Sequence, residues 1–160
     1  KPTALTYSNG GQAVEVEVDI GTGAVSFRNY VVVSDCGNLI NPMIVDGQIV
    51  GGVVHGIGNA LYEWMGYDEN GQPLTTNFGE YLMPTATELP HIDMIYETSP
   101  SPLNPLGVKG VGETGTVPAA AAIVSAVEHA LEPFGAQLTD YPVKPATLVE
   151  IVRRGVPVAT

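Results

Sequence analysis

The chain has 160 residues, which is enough for one domain with a substantial buried core. Only 14% of the residues are charged, below the roughly 25% of ordinary soluble domains, so we expect other protein to cover part of the surface. Seventeen acidic residues against six basic ones give a net charge of −11. This excess of negative charge argues against nucleic acid and anionic membranes as partners.

The single cysteine, Cys36, excludes an internal disulfide and favours a reducing, cytoplasmic location. The sequence contains no run of about 18 apolar residues, so no membrane insertion is expected. The chain starts at Lys1 with neither an initiator methionine nor a signal sequence. We therefore expect it to be cut from a longer chain.

The first predicted element is a β-hairpin. Residues 13–19 alternate apolar and acidic side chains, the period of a half-exposed strand whose acids face solvent. Residues 21–23, Gly-Thr-Gly, form a turn, and residues 24–34 supply the second strand.

A glycine-rich helix follows the hairpin. Asn41 and Pro42 are a typical N-cap and first-turn pair, and apolar residues at helical spacing carry the prediction to about Trp64. Five glycines inside the helix cost on the order of 5 kcal/mol relative to alanine. They are Gly47, Gly51, Gly52, Gly56 and Gly58. Such a cost indicates that a neighbouring element or a ligand approaches the helix backbone closely, and the spacing leaves both alternatives open.

Two polar side chains stand out in this helix. Gln48 is the one long uncharged polar residue in the middle of the glycine-lined run. His55 lies two turns further on, and we predict that it is a hydrogen-bonded residue of the core or its boundary.

The rest of the chain is predicted to combine short elements with long loops. The sequence indicates a turn over residues 66–72, an irregular stretch with room for one short strand over 74–86, and a strand over 91–97. A proline-rich connector follows over 99–105. The last elements are a second helix over 119–131, a loop over 133–145 and a short helix over 147–153.

The connector leads into a glycine loop around one carboxylate, Glu113. Thr116 is the predicted N-cap of the following helix, with Pro118 in its first turn. A helix start favours a nearby anion, which would keep the Glu113 side chain ionised. Spacing alone leaves two interpretations, a catalytic carboxylate or a tight loop with a solvated glutamate.

Other reaction centres are disfavoured by spacing. The three histidines have no metal-ligand spacing, and no Gly-x-Ser-x-Gly nucleophile elbow occurs. Lys109 is followed by Gly-Val, so the loop is not a P-loop, and its Gly-x-Gly-x-x-Gly spacing does not follow a clear strand. Glu113 thus remains as a lone base candidate, whose reaction partner must come from a cofactor or another chain.

Several short motifs occur in the same order as in the xanthine oxidase, or molybdenum hydroxylase, family. They are Asp35-Cys36-Gly37, Ile40-Asn41-Pro42, the run from Asp46 to Gly52, Gly56-Ile57-Gly58 and the run from Lys109 to Glu113. From Val14 onward, the chain resembles the C-terminal part of the large, molybdopterin-binding subunit. It is most similar in type to bacterial carbon monoxide dehydrogenases and to aldehyde or N-heterocycle hydroxylases. We therefore expect one α+β domain over residues 1–160, with a β-hairpin and short strands packed against two main helices.

The resemblance implies a role for four residues. Glu113 matches the catalytic base of an oxidative hydroxylation that takes its oxygen from water. Gln48, Gly51 and Gly112 match cofactor-binding positions, with Gly112 beside the metal and no metal ligand from this chain. Cys36 is expected to be a buried structural residue and not a copper ligand.

The resemblance also implies cofactors and partners. The cofactor would be molybdopterin cytosine dinucleotide, held mainly by the upstream part of the large subunit, with 2Fe-2S and FAD in partner subunits. The isolated chain would be inactive and bind no cofactor, and the substrate would be a small molecule. Two alternatives remain, a non-catalytic interaction domain that packs against a partner subunit and, more weakly, an isolated nucleotide-binding module.

Overall fold

A computed structural model describes residues 5–155 as an α+β fold, which confirms the predicted class. Three strands form one sheet in the order β1-β2-β3, and helices pack against it. The elements are β1 (Asn9–Val18), β2 (Val25–Asp35), α1 (Pro42–Leu61), β3 (Asp93–Tyr96), α2 (Ala119–Ala130), a 3-10 turn (Glu132–Phe134) and α3 (Pro145–Arg154).

The hairpin prediction is confirmed by the antiparallel pairing of β1 and β2. β1 begins at Asn9, four residues before the predicted strand. Valines on one face of β1 pack against the core, and the acids between them are exposed. In the turn, the Asp19 carboxylate accepts hydrogen bonds from the backbone N–H groups of Gly21 and Thr22, at 2.8 and 2.9 Å.

The third strand joins the sheet from a distant part of the sequence. β3 runs parallel to the end of β2, from the pair Val31 and Asp93 to the pair Ser34 and Tyr96. The predicted strand over 91–97 is thus confirmed in a shorter form. Its parallel pairing places the connector that follows β3 at the end of β2.

Helix α1 begins as predicted, because the Asn41 side chain accepts a hydrogen bond from the Ile44 N–H and Pro42 is the first helical residue. It ends at Leu61, three residues before the predicted Trp64. Close contact with α2 explains part of its glycine content. A Cβ atom on Gly56 would lie 2.2 Å from the Cβ of Ala119.

Two predictions about irregular segments are corrected. Residues 74–86 contain no strand; a single bridge pairs Tyr67 with Pro73, and Gly71 takes a φ of +78° in the turn between them. The predicted loop 133–145 overlaps a 3-10 turn, whereas the predicted short helix is confirmed as α3. Within residues 5–155, no helix has the length and apolar character needed to cross a membrane.

Candidate functional site

Glu113 lies at the surface of a cleft of about 590 Å³. One wall of the cleft is residues 6–10, which lead into β1 and form its first two positions. The other wall is the glycine loop and the approach to α2. The loop side is lined by residues 110–114, 117 and 118. The carboxylate is exposed, so it can meet a molecule that enters the cleft.

Backbone hydrogen bonds hold the first half of the loop against the end of β2 and the segment before β1. The Lys109 N–H donates to the Cys36 carbonyl, and the Gly110 N–H donates to the Thr6 carbonyl, both at 2.9 Å. Val108 also forms an isolated antiparallel bridge with Gly37. The loop is therefore held beside the end of β2 up to Gly110, its first residue in the cleft wall.

A nearly buried ion pair supports the same half of the loop. The Lys109 ammonium donates to an Asp35 carboxylate oxygen at 2.6 Å, and the two side chains are only 11% and 12% exposed. Ser99 bonds the same carboxylate through its hydroxyl at 2.6 Å and its backbone N–H at 3.0 Å. The ammonium and these Ser99 donors hold the pKa of Asp35 well below its usual value.

A second set of hydrogen bonds holds the loop just after Glu113. Gln12 donates from its side-chain amide to the Gly115 carbonyl at 2.8 Å, and the Tyr30 hydroxyl donates to the Gln12 amide oxygen at 2.6 Å. Tyr30 is completely buried, and burial raises the pKa of its hydroxyl, so it remains a donor. Thr114 adds a hydroxyl contact to Ser8 at 2.9 Å.

The loop also lies directly on α1. A Cβ atom on Gly115 would lie 2.2 Å from the Ile49 carbonyl oxygen, so only glycine permits this approach. The prediction that Thr116 caps α2 is wrong, because its hydroxyl donates instead to the Gly52 carbonyl of α1 at 3.1 Å. Helix α2 has no side-chain cap, and Pro118 directly precedes it.

Gln48 and Gly51 lie on the exposed part of α1, and neither lines the Glu113 cleft. Gly51 has open space where its side chain would be, since a Cβ there would meet nothing within 4 Å. The contact between Ile49 and Gly115 nevertheless joins this stretch of α1 to the loop. Gly112 lies in the cleft wall and is equally open.

Two further residue predictions have opposite outcomes. His55 is exposed on α1, so its predicted place in the core or at the boundary is wrong. Its position on the helix faces away from the buried isoleucines at 49 and 57, which are on the core side. Cys36 is 3% exposed, as predicted for a structural residue, and burial raises the pKa of its thiol.

The supporting residues were missed at the sequence level, although the sequence carries a signal for some of them. Asp35 and Lys109 lie inside the motifs that mark the family resemblance. Gln12 occupies an inward position of β1, in phase with Val14 and Val16, where a polar residue requires a buried partner. Ser99 lies in the proline-rich connector, which gives no comparable signal.

The open glycine positions test whether a pterin cofactor fits this chain. Gly47, Gly51 and Gly112 each leave the backbone accessible, with no atom within 4 Å of a would-be Cβ. Gln48 adds an exposed amide that can both donate and accept hydrogen bonds. Over residues 5–155, no group of three or more histidine, cysteine, aspartate or glutamate side chains could hold a metal ion. The open backbone at these glycines and the exposed Gln48 amide leave room for an organic cofactor.

Comparison with known proteins assigns the family. The sequence model of the molybdopterin cofactor-binding domain matches residues 1–90, more than half of the chain. The chain belongs to the molybdopterin cofactor-binding domain family. This confirms the resemblance to the large subunit of molybdenum hydroxylases.

Relatives in this family include both curated proteins and solved structures. The nicotine 6-hydroxylase large subunit of Paenarthrobacter nicotinovorans is 44% identical over 92% of the chain, which covers 18% of that protein. The carbon monoxide dehydrogenase large chain of Afipia carboxidovorans is 36% identical over 81% of the chain and 16% of that protein. Quinoline 2-oxidoreductase from Pseudomonas putida 86 superposes with a TM-score of 0.89 and 40% identity, over 93% of the chain and 19% of that structure. The chain thus spans about a fifth of the length of its relatives.

Proposed function

We propose that this chain is part of a molybdenum hydroxylase, to which it contributes the catalytic base and one side of the molybdopterin site. The observation that carries the proposal is Glu113, an exposed carboxylate in a cleft whose loop is anchored on both sides of it. A loop held in this way can present a carboxylate in one orientation, which catalysis by proximity requires.

Glu113 would act as a general base. Its carboxylate oxygens would accept the proton that a water-derived oxygen nucleophile loses as it attacks an electron-poor substrate carbon. Neither Lys109 nor Asp35 competes for that role, since the two side chains are paired with each other and nearly buried.

The molybdopterin cofactor, proposed in its cytosine dinucleotide form, would supply the two-electron oxidation when bound. Gln48 would donate to and accept from the pterin through its exposed amide. Gly51 and Gly112 would let the cofactor approach the main chain, because an added Cβ at either position would project into open space. Gly112 would lie beside the metal, one residue from the base.

The substrate class we propose is an N-heterocycle or an aldehyde. Relatives that share 44% and 40% identity are named for nicotine and quinoline, which are both N-heterocycles. Electrons would leave through partner subunits that carry 2Fe-2S clusters and FAD. We place the assembled enzyme in the cytoplasm, in keeping with the single free, buried cysteine.

Replacing Glu113 by glutamine tests this function in the assembled enzyme. The amide keeps the size of the side chain but cannot accept the proton, so turnover should fall by about 100-fold or more. Molybdenum content, measured by mass spectrometry, should stay unchanged. The matched control is Glu97→Gln, a change at an exposed glutamate outside the cleft. Full activity in the Glu113 variant would refute the assignment.

One observation favours the alternative of an interaction domain. Large apolar side chains near the start of α1 are exposed, with Met43 at 76% and Ile44 at 57%. A surface of this kind is typical of protein contacts. Both interpretations predict a partner, but only the enzyme predicts molybdenum and pterin fluorescence in the natively purified assembly.

A further inference from the structure

We propose that Lys109, Asp35 and Ser99 form a positioning cluster that sets the orientation of Glu113. This proposal rests on the proposed role of Glu113 as the base. The three residues would not touch substrate; they would act through the loop. The cluster joins the end of β2 to the proline-rich connector and the glycine loop, which lie 64 and 74 residues further along the chain.

The hydrogen bonds of the cluster form a closed set. The two Asp35 oxygens accept from the Lys109 ammonium, the Ser99 hydroxyl, the Ser99 N–H and the Gly37 N–H, at distances between 2.6 and 3.0 Å. Lys109 also donates to the Ser99 hydroxyl oxygen at 2.7 Å. Each of the three side chains thus bonds both of the others. Such a set fixes the Lys109 side chain, and with it the start of the loop, in one place.

The part of the loop just before Glu113 is rich in glycine and has few side-chain contacts of its own. Between Lys109 and Glu113 lie Gly110, Val111 and Gly112, and the two glycines leave the backbone free to take many conformations. A Cβ at Gly112 would meet nothing within 4 Å, so side-chain packing does not restrict that point. The orientation of Glu113 therefore depends on hydrogen bonds on both sides of this stretch. Before it are the cluster and the Gly110 N–H bond to the Thr6 carbonyl; after it, the Thr116 and Val117 N–H groups donate to the Glu113 carbonyl and Gln12 holds Gly115.

Stability alone does not account for a nearly buried charged pair. Replacing such a pair by apolar groups of similar size is often neutral or stabilising, since desolvation offsets the attraction between the charges. An apolar pair cannot reproduce the directed hydrogen bonds, and these bonds are what hold the loop backbone in one position. A displacement of about 1 Å at a reacting group can slow a reaction by roughly 100-fold.

The test compares three variants of the assembled enzyme: Lys109→Met, Ser99→Ala, and the double variant Asp35→Asn with Lys109→Met. The readouts are kcat and KM for the N-heterocycle or aldehyde that the unchanged enzyme turns over fastest, together with molybdenum content. Two further readouts are thermal stability and hydrogen exchange of the amides in residues 107–117. Arg28→Met is the control, because Arg28 pairs with Glu17 on the exposed face of the hairpin.

We expect Lys109→Met to lower kcat by 10- to 100-fold with little change in KM or molybdenum content. Exchange should rise in residues 107–117 and not in α2. Ser99→Ala removes one hydroxyl without leaving an unpaired charge, so its kcat should fall several-fold. In the double variant stability should recover toward that of the unchanged enzyme while kcat stays low, and Arg28→Met should change nothing.

Three results would overturn the proposal. The first is unchanged kcat and unchanged hydrogen exchange of residues 107–117 in Lys109→Met. The second is recovery of kcat along with stability in the double variant, and the third is loss of molybdenum in all three variants. Each would mean that the cluster does not position Glu113. The Glu113→Gln variant keeps the two proposals apart. If that variant is fully active, the proposed function fails whatever Lys109 does; if it is inactive while Lys109→Met is normal, only the positioning role fails.

Discussion

Gly115 lies where the loop that carries Glu113 meets α1, with a would-be Cβ only 2.2 Å from the Ile49 carbonyl oxygen. Gly115→Ala must push the loop away from the helix, so the free energy of unfolding should fall by about 1–3 kcal/mol. Urea denaturation measures this change. Gly112→Ala is the matched control, since its Cβ enters open space and should shift stability by less than about 0.5 kcal/mol. Equal stability of both variants would contradict the close contact.

The Asp35 carboxylate gives stability a defined dependence on pH. Its pKa in the folded protein lies below the ordinary 3.8, because Lys109 and Ser99 stabilise the ionised form. Because the pKa is lower in the folded protein, the ionised Asp35 stabilises the fold fully at pH values above its pKa in the unfolded chain. This stabilisation is lost as the pH falls through its pKa in the folded protein. The urea concentration at half-unfolding should therefore fall as the pH is lowered from about 5 to about 2, and this fall should be smaller in Asp35→Asn. An unaltered pH profile in Asp35→Asn would show that other carboxylates cause the loss.

The sequence predicts Glu113 as the base but not the residues that hold its loop, because those residues are distant in sequence. Lys109 and Asp35 are 74 positions apart, and Gln12 bonds a carbonyl 103 positions away. Nothing in the local pattern reports such a partner. Thr116 shows the same limit, because a hydroxyl with the right spacing for an N-cap found a tertiary acceptor on α1 instead.

At the scale of the element, α1 has glycines on two sides that serve different neighbours. Gly52 and Gly56 lie against the loop and α2, where a Cβ would come within 2.9 and 2.2 Å of other atoms. Gly47 and Gly51 face open space. A Cβ on Gly58 would come within 2.2 Å of the Glu63 side chain. Protein contact therefore explains three of the five glycines, and a ligand or further protein remains the explanation for Gly47 and Gly51.

Gly51→Ala separates stability from cofactor binding. Alanine favours a helix over glycine by about 1 kcal/mol, and no neighbour obstructs it, so the chain should become more stable. If the cofactor approaches the backbone here, molybdenum content of the assembled enzyme should fall at the same time. Thermal unfolding and metal analysis measure the two effects. Gly52→Ala, where the added Cβ meets the loop, is the control and should lose stability. Full molybdenum content in Gly51→Ala would argue against a cofactor at this face of α1.

The elements that the sequence predicted best are those fixed by local chemistry. The hairpin follows from alternation over a few residues, and the start of α1 follows from Asn41 and Pro42. The pairing of β3 with β2 depends on a segment about sixty residues away, so periodicity could indicate the strand but not its place. The strand expected in 74–86 failed for a related reason, since no neighbouring strand pairs with it within the described chain.

At the scale of the molecule, a large share of the bulky apolar side chains is exposed. The most exposed include Tyr7, Ile40, Met43, Phe78 and Val117, at 67–79%. The chain spans about a fifth of its relatives' length. Its low charge content and exposed apolar surface support the proposal that it packs against further protein.

The same exposure predicts that the isolated chain does not retain molybdopterin. Ligand sites bury about 70–90% of a bound molecule, whereas Gln48, Gly51, Gly112 and Glu113 are all exposed here and form at most one side of a site. Purified alone, the chain should contain no molybdenum and show no pterin fluorescence. Co-expressed with the remainder of the large subunit, it should co-purify with both. Stoichiometric molybdenum in the isolated chain would mean that these residues enclose the cofactor by themselves, contrary to the open geometry around Gly51 and Gly112.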